Sequence, residues 1–382
     1  MRLTGRADGP PLVAPEAMVA AIRGVGEAAS IDALALLGER AALAGSSRHG
    51  AISCGGGTRL LRTADEFVAV SLTRPDDVSL LPAWVGVAEP PAGTMNDDAW
   101  EQVGAAFTGW SARDLVERAT MLGLAVSRLG EVTDPEPVIA TCHGAAATLA
   151  RAPIVVELAS LWAGPLATRL LRAAGARVIK VESLARPDGA RRGNAAFFEL
   201  MNAGKESVAL DLTDARGRER LRVLLLAADV VVEGSRPRAL AQMGIDAREL
   251  VIDGPRVWCS ITGYGRGESE GRRVAFGDDA AVAGGLVADA GDGPCFVADA
   301  VADPLTGVVA AAAVSDALQS GERVLLDIAL ARVAAQVAAT ARGTRWHPGN
   351  DADAKPPSVP IPAGRAPRLG QHTHLVLREL VG

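Results

Sequence analysis

The chain has 382 residues, 49% of them hydrophobic and 22% charged, a balance that excludes a disordered protein and leaves room for two domains. Aromatic residues make up only 3% and the formal net charge is −6, which argues against a base-stacking platform or a basic surface for nucleic acid. Cys54, Cys142, Cys259 and Cys295 stand at no metal-ligand or redox spacing, so reduced, separate thiols are expected and no metal site.

Between about residues 50 and 130 the pattern is mixed. Residues 51–54 and 67–72 read as short strands, and 100–107 and 112–122 as helices, the second with Ser111 as N-cap. Residues 133–152, with Pro135, Pro137 and a run of small side chains, read as a connection. From Pro153 the rhythm becomes strand, helix, strand. Residues 154–158 suit a buried parallel strand, and a helix is predicted over 166–174, with Pro165 in its first turn and Gly175 at its end. Further strands at 177–182, 208–210, 230–233, 257–261 and 324–329 alternate with helices at 214–227, 303–318 and 330–341. Residues 343–367, rich in Pro, Gly and Asp, read as a loop, and 372–380 as a closing helix.

This alternation predicts an α/β fold: a Rossmann-like parallel sheet covered by helices on both faces, preceded by a smaller α+β domain. The expected division is a small domain over 1–132, a linker over 133–152, the sheet domain over 153–342, and a linker with a closing segment over 343–382. Residues 1–12 carry Arg, Asp and prolines in place of an apolar signal core, and the apolar stretch 221–232 is interrupted by Asp229. A cytoplasmic protein without a membrane partner is expected.

A dinucleotide fingerprint would need Gly-x-Gly-x-x-Gly after the first strand. The sequence there is Leu161-Trp162-Ala163-Gly164-Pro165, with one glycine, and in Gly263-Tyr264-Gly265-Arg266-Gly267 the following Glu268 takes the place of the third. The start of the helix behind Ala163-Gly164-Pro165 can still face an anion, or it is simply a tight strand-to-helix turn. His143, His347, His372 and His374 show no ligand spacing.

Six motifs in order carry more. Val156-Glu157-Leu158-Ala159 leads to Ala163-Gly164-Pro165, then come Gly175-Ala176-Arg177-Val178-Ile179-Lys180-Val181-Glu182 and Asn202-Ala203-Gly204-Lys205-Glu206-Ser207. Ala228-Asp229-Val230-Val231-Val232-Glu233 with Arg236-Pro237, Ser260-Ile261-Thr262-Gly263-Tyr264-Gly265 and Ala302-Asp303-Pro304-Leu305-Thr306-Gly307 follow. The stretch resembles the class III CoA-transferase family, which includes formyl-CoA transferase, carnitine CoA-transferase and α-methylacyl-CoA racemase. The resemblance implies an acyl-CoA:carboxylate CoA-transferase, usually an interlocked homodimer. It takes coenzyme A and acyl-CoA as substrates, has a carboxylic acid as acceptor, and holds no permanent cofactor. By position, Leu161, Trp162 and Ala163 would lie along the nucleotide, Lys205 near its phosphates, and Gly234 and Ser235 where many members carry a polar-aromatic pair.

The resemblance places the catalytic carboxylate on Asp303. A carboxylate attacking a thioester gives a mixed anhydride, and no base is needed because the nucleophile is already ionised. Read alone, Asp303 would be an N-cap of the helix behind it. The racemase branch carries a His shortly before the catalytic Asp, and here Phe276 stands at that place, which disfavours α-proton transfer. Asp278 and Asp279 are expected to be solvated or capping. The family's small domain normally lies inside the chain, whereas residues 53–130 resemble it here, so a circular permutation is expected. Gly55-Gly56-Gly57 would then be the glycine loop that covers the site, or else a plain turn. An acyl-CoA isomerase or racemase, or a CoA-binding protein without catalysis, remain the alternatives.

Overall fold

The computed structural model describes residues 2–146, 149–291, 293–362 and 364–382. The N-terminal segment contributes β1 (Leu12–Val13) and the helices Glu16–Ala28 and Glu39–Ala44. A three-stranded antiparallel sheet follows, built from β2 (Thr58–Arg62), β3 (Phe67–Ser71) and β4 (Ala125–Arg128). The helices Asp97–Phe107 and Ala112–Leu122 cover it, capped by Asn96 and Ser111, whose side chains accept the Ala99 and Asp114 N–H groups. Val68, Val70, Trp84, Trp100, Phe107 and Leu115 form the core of this small domain.

The large sheet has seven strands: β5 (Val138–Ala145), β6 (Ile154–Leu158), β7 (Arg177–Ser183), β8 (Glu206–Leu210), β9 (Val230–Glu233), β10 (Val257–Thr262) and β13 (Glu322–Ala329). Their order is β5-β13-β10-β9-β6-β7-β8, parallel except for β5, which runs antiparallel to β13. A short hairpin of β11 (Val287–Asp289) and β12 (Pro294–Phe296) precedes the helix Ala302–Ser320, and β14 (His347–Pro348) pairs with β1. Alternate residues of each strand serve opposite cores. Val155, Val178, Val230 and Ile261 pack under the helices Ala163–Ala173 and Ala302–Ser320, whereas Val156, Ile179, Val231 and Trp258 face the other side with Val376 of the closing helix.

Three expectations change. The stretch read as a linker contains β5, an eight-residue edge strand. The first fifty residues, read with the small domain, pack on the large one: Leu12, Met18, Ile22, Ala33 and Leu37 belong to the core beneath the sheet's helices. Residues 51–54 form only isolated bridges, His49 to Ile52 and Ile52 to Arg59. Among the described residues no helix is long and apolar enough to cross a membrane.

Candidate active site

The strand order reverses beside β6: β7 and β8 lie on one side of it, β9, β10 and β13 on the other. Ligands of open α/β sheets bind outside the carboxyl ends of the strands at such a switch point. Here that crevice lies between Leu158, at the end of β6, and its neighbour Glu233, at the end of β9. Leu161, Gly234 and Ser235, all singled out from the sequence, lie on the two loops that leave these strands, Ala163 opens the helix behind the first loop, and the Gly234 N–H bonds the Leu158 carbonyl at 3.3 Å. Leu161 holds a left-handed φ of +68° and is 42% exposed. The conformation costs an L-residue roughly 1–2 kcal/mol and is held by Asp188, whose Oδ1 accepts the Leu161 N–H at 3.0 Å. Trp162 turns inward instead. It is 2% exposed, edge-on to Phe197 and covered by the Arg40 guanidinium at 4.7 Å. Its side chain is packing, so only its backbone faces the crevice.

Helix Ala302–Ser320 crosses helix Ala163–Ala173 closely because Gly307 has no side chain: a Cβ there would stand 2.8 Å from the Ala163 carbonyl oxygen. This crossing brings Asp303, one turn earlier, to the start of the helix behind the crevice. Asp303 is the second residue of its helix; the N-cap is Val301, without a side-chain bond. The expectation that Asp303 might merely cap the helix is therefore corrected: the side chain is available for other work.

The turn before Asp303 is unusual. Ala298 and Ala300 adopt φ of +53° and +43°, and Asp299 between them is buried. Arg40 grips the Asp299 carboxylate with a two-pronged fork, one prong at 2.9 Å. The Ala298 N–H donates to Thr4 Oγ1 at 3.0 Å, and its carbonyl accepts the Cys54 thiol at 3.2 Å. The Ala300 N–H donates to Asp278 Oδ1 at 3.0 Å, and its carbonyl accepts the Asp303 N–H at 2.9 Å. Gly277 lies against the carboxylate: a Cβ there would stand 2.6 Å from Asp303 Oδ2, and the nearby Gly277 N–H favours its ionised form.

Three carboxylates, Asp278, Asp299 and Asp303, gather around the one guanidinium of Arg40, and Asp279 lies close to Asp278 and Asp303. Burial pushes Asp303 up to about 6, against the pull of Arg40 and the Gly277 N–H. Burial raises Asp278 to about 7 despite Arg40, with Asp299 and Asp279 adding to the rise. Asp279 also reaches about 7 through burial, although it accepts the Phe276 N–H at 2.9 Å and the Ser71 hydroxyl at 2.8 Å. The expectation of solvated carboxylates fails at both positions. Asp279 does cap its helix, but it also ties the small domain to the large one, since Ser127 Oγ donates to its carbonyl at 2.8 Å. Phe276 lies under Arg74, ring to guanidinium 5.7 Å.

Gly55 and Gly56 are exposed, and Gly56 has φ +77°. A Cβ on Gly55 would stand 3.8 Å from an Arg40 nitrogen, so the glycine loop borders the gripped turn. Lys205 is elsewhere. Its ammonium is buried and donates to Glu157 at 2.8 Å, the Pro165 carbonyl at 2.9 Å and Asn202 at 3.1 Å. With all three donors engaged inside the protein it has none to offer a phosphate, which corrects the expected contact. Cations do line the crevice. Arg236 follows Ser235, Arg186 follows β7, and Arg74 enters from the small domain; burial and then the charges of Arg74 and Arg186 depress Arg236. Arg74 is paired with Asp77, whereas Arg186 and Arg236 have no acidic partner among the described residues. A cavity of about 1220 Å³ between helix Glu16–Ala28 and residues 346–358 is lined by none of Asp303, Arg74, Arg186 and Arg236.

The sequence profile of CoA-transferase family III matches residues 153–373, more than half of the chain. The chain belongs to that family. Among the family III relatives, succinate–glutarate CoA-transferase of Agrobacterium fabrum is 36% identical over 209 residues, covering 48% of this chain and 52% of the relative. Formyl-CoA:oxalate CoA-transferase of Rhodopseudomonas palustris is 32% identical over 175 residues, covering 43% of this chain and 41% of the relative. The chain thus spans about half the length, or less, of the curated relatives it matches. A CAIB/BAIF family protein from Brucella suis has a solved structure that covers 51% of this chain and 56% of its own, at 31% identity and a TM-score of 0.47. The matched residues 153–373 contain Asp303 and the switch-point loops, whereas Arg40, Gly55-Gly56-Gly57 and Arg74 lie ahead of them.

Proposed function

We propose that this family III protein is an acyl-CoA:carboxylate CoA-transferase with Asp303 as its nucleophile. The carrying observation is the seat of that carboxylate: in the family-matched stretch, beside the switch-point crevice, against Gly277 where no side chain would fit, and free of any capping duty. One carboxylate oxygen attacks the thioester carbonyl, a C–O bond forms, the C–S bond breaks, and CoA leaves as thiolate. The thiolate attacks the aspartyl carbonyl, giving an aspartyl-CoA thioester and freeing the donor acid. The acceptor carboxylate then attacks that thioester, releasing the thiolate and forming a second anhydride. Attack of the thiolate on the acceptor's own carbonyl yields the new acyl-CoA and returns Asp303 as carboxylate. No external proton donor is required at any step.

In this reading the CoA chain follows Leu161, the backbone of Trp162 and Ala163, with Gly234 and Ser235 opposite. Arg186 and Arg236 take the phosphates in place of Lys205, since neither is paired with a carboxylate among the described residues, whereas Arg74 is held by Asp77. Gly55-Gly56-Gly57 shields the anhydride from water. The small domain stands ahead of the sheet domain as in a permuted family member, and the protein works in the cytoplasm as a homodimer. No cofactor is held permanently. The dicarboxylate and formyl/oxalate substrates named for the relatives make the first panel to test.

The deciding experiment incubates the protein with succinyl-CoA or formyl-CoA, traps with hydroxylamine and maps the modified peptide. A hydroxamate on the peptide carrying Asp303 is expected, and exchange of CoA between acids without any label there would overturn the mechanism. Replacing Arg236 or Arg186 by Ala should raise KM for acyl-CoA about tenfold with little change in kcat, measured by steady-state kinetics at two salt concentrations. The acid limb of kcat should lie near pH 6, because Asp303 must be ionised to attack and loses activity as pH falls through its value of about 6. Stability runs the other way. Asp278, Asp279 and Asp303 all bind protons more tightly when folded, so their contribution to stability is greatest below the ordinary carboxylate range and is lost as pH rises to about 7.

A further inference from the structure

Four side chains from outside the turn 298–300 hold its polar groups, and three of them come from the first 54 residues: Thr4, Arg40 and Cys54. The fourth is Asp278, at 3.0 Å from the Ala300 nitrogen. Alanine does not stay left-handed twice in three residues unless its surroundings impose it. Ala300 is also bonded to Asp303 through its carbonyl at 2.9 Å, so the turn's shape passes directly into the position of the Asp303 backbone. Relaxation of Ala300 to a negative φ would swing that carbonyl and move the first turn of the helix.

We infer that Arg40 and Asp278 are positioning residues, which hold the left-handed turn Ala298–Ala300 and thereby aim the Asp303 carboxylate; the inference rests on Asp303 being the nucleophile. Arg40 holds the turn with a planar fork on Asp299, and the same guanidinium lies over Trp162 at 4.7 Å, at the start of the helix behind the crevice. One cation thus fixes the reacting turn and the nucleotide turn against each other. A lysine would keep the charge but not the fork. Asp278 acts as an acceptor for a backbone N–H, a task an asparagine oxygen can also perform. Neither residue is asked to touch substrate; a misplacement of about 1 Å at the reacting carboxylate is enough to cost about 100-fold in rate.

The test uses the full chain and the acyl-CoA and acid pair with the highest turnover in the panel above. Asp278→Ala is expected to lower kcat by at least about 10-fold with KM for acyl-CoA changed by less than about threefold, and Asp278→Asn to restore most of the loss. Arg40→Lys should lose kcat as heavily while keeping the acid limb near pH 6, because the charge that favours ionised Asp303 remains. Arg40→Ala should lose kcat and also move that limb to higher pH. A merely structural role would show neither the rescue by Asn nor this separation of rate from pH limb. Wild-type kcat in Arg40→Lys or Asp278→Ala, with Asp303→Asn inactive, overturns the positioning role. Activity in Asp303→Asn overturns the nucleophile itself. Should either alanine variant fail to fold, Arg40→Lys decides alone, since its kcat and pH limb must part.

Discussion

Asp303→Asn should abolish CoA transfer, lowering kcat by at least about 10,000-fold. The substitution keeps the volume of the side chain and an oxygen that can accept the Gly277 N–H, so the strained turn and the fold should survive. What disappears is an ionised nucleophile. Binding of CoA, measured by calorimetry, should stay within about threefold, because the crevice at Leu161, Gly234 and the arginines is untouched. The hydroxylamine label should vanish together with turnover. Retention of more than about a tenth of the wild-type kcat would rule out the anhydride route. Tight CoA binding by the wild-type protein with no exchange across a broad panel of acids would favour a binding protein without catalysis.

The strands and turns of the switch point were readable because their signals are local, whereas Asp303 was reached only through the resemblance, since read alone it looked like an N-cap. Short apolar strands, a proline in a first helical turn and small residues at a crossing leave their mark within ten positions. Residues 154–158 and 230–233 form the strands β6 and β9 with the expected bounds. The grip on the turn was not readable. Arg40 and Asp299 are 259 residues apart in sequence, and Arg40 sits in a segment with no strong periodicity. Asp278 and Asp279 looked like ordinary first-turn acids; only tertiary packing buries them against Ala300 and Ser71. Lys205 was misplaced for a related reason, because a lysine in a motif gives no sign of whether its donors face a ligand or a buried glutamate. The strand β5 was missed since its upstream prolines and small residues resemble a linker, and its pairing is supplied by β13 rather than by any alternation of its own.

The largest effect on stability is expected at Lys180. Its ammonium is 1% exposed and lies 2.7 Å from Glu157 and 2.9 Å from Asp188, while Lys205 shares Glu157 from the other side. Burial by itself would raise Glu157 and lower Lys180. The pairing reverses both, holding Glu157 at about 2 and Lys180 above its ordinary value. Burial lowers Lys205 to about 8, since its share of Glu157 offsets that only in part and the charge of Lys180 adds to the fall. Lys180→Met matches the length of the side chain but strands Asp188 without a cation, and should destabilise the fold by about 3–5 kcal/mol, read from urea denaturation at pH 7. The deficit should shrink on acidification. The depressed value of Glu157 contributes stability above the ordinary carboxylate range and loses it as pH falls towards about 2, and the variant has less of that contribution to lose. Asp188 also anchors the Leu161 N–H at 3.0 Å, so the folded fraction of the variant should bind CoA more weakly than wild type. An unfolding free energy within about 1 kcal/mol of wild type, with CoA binding unchanged, would mean that the network supports neither the sheet nor the turn at Leu161. A stable variant with weakened CoA binding would leave it the second role alone.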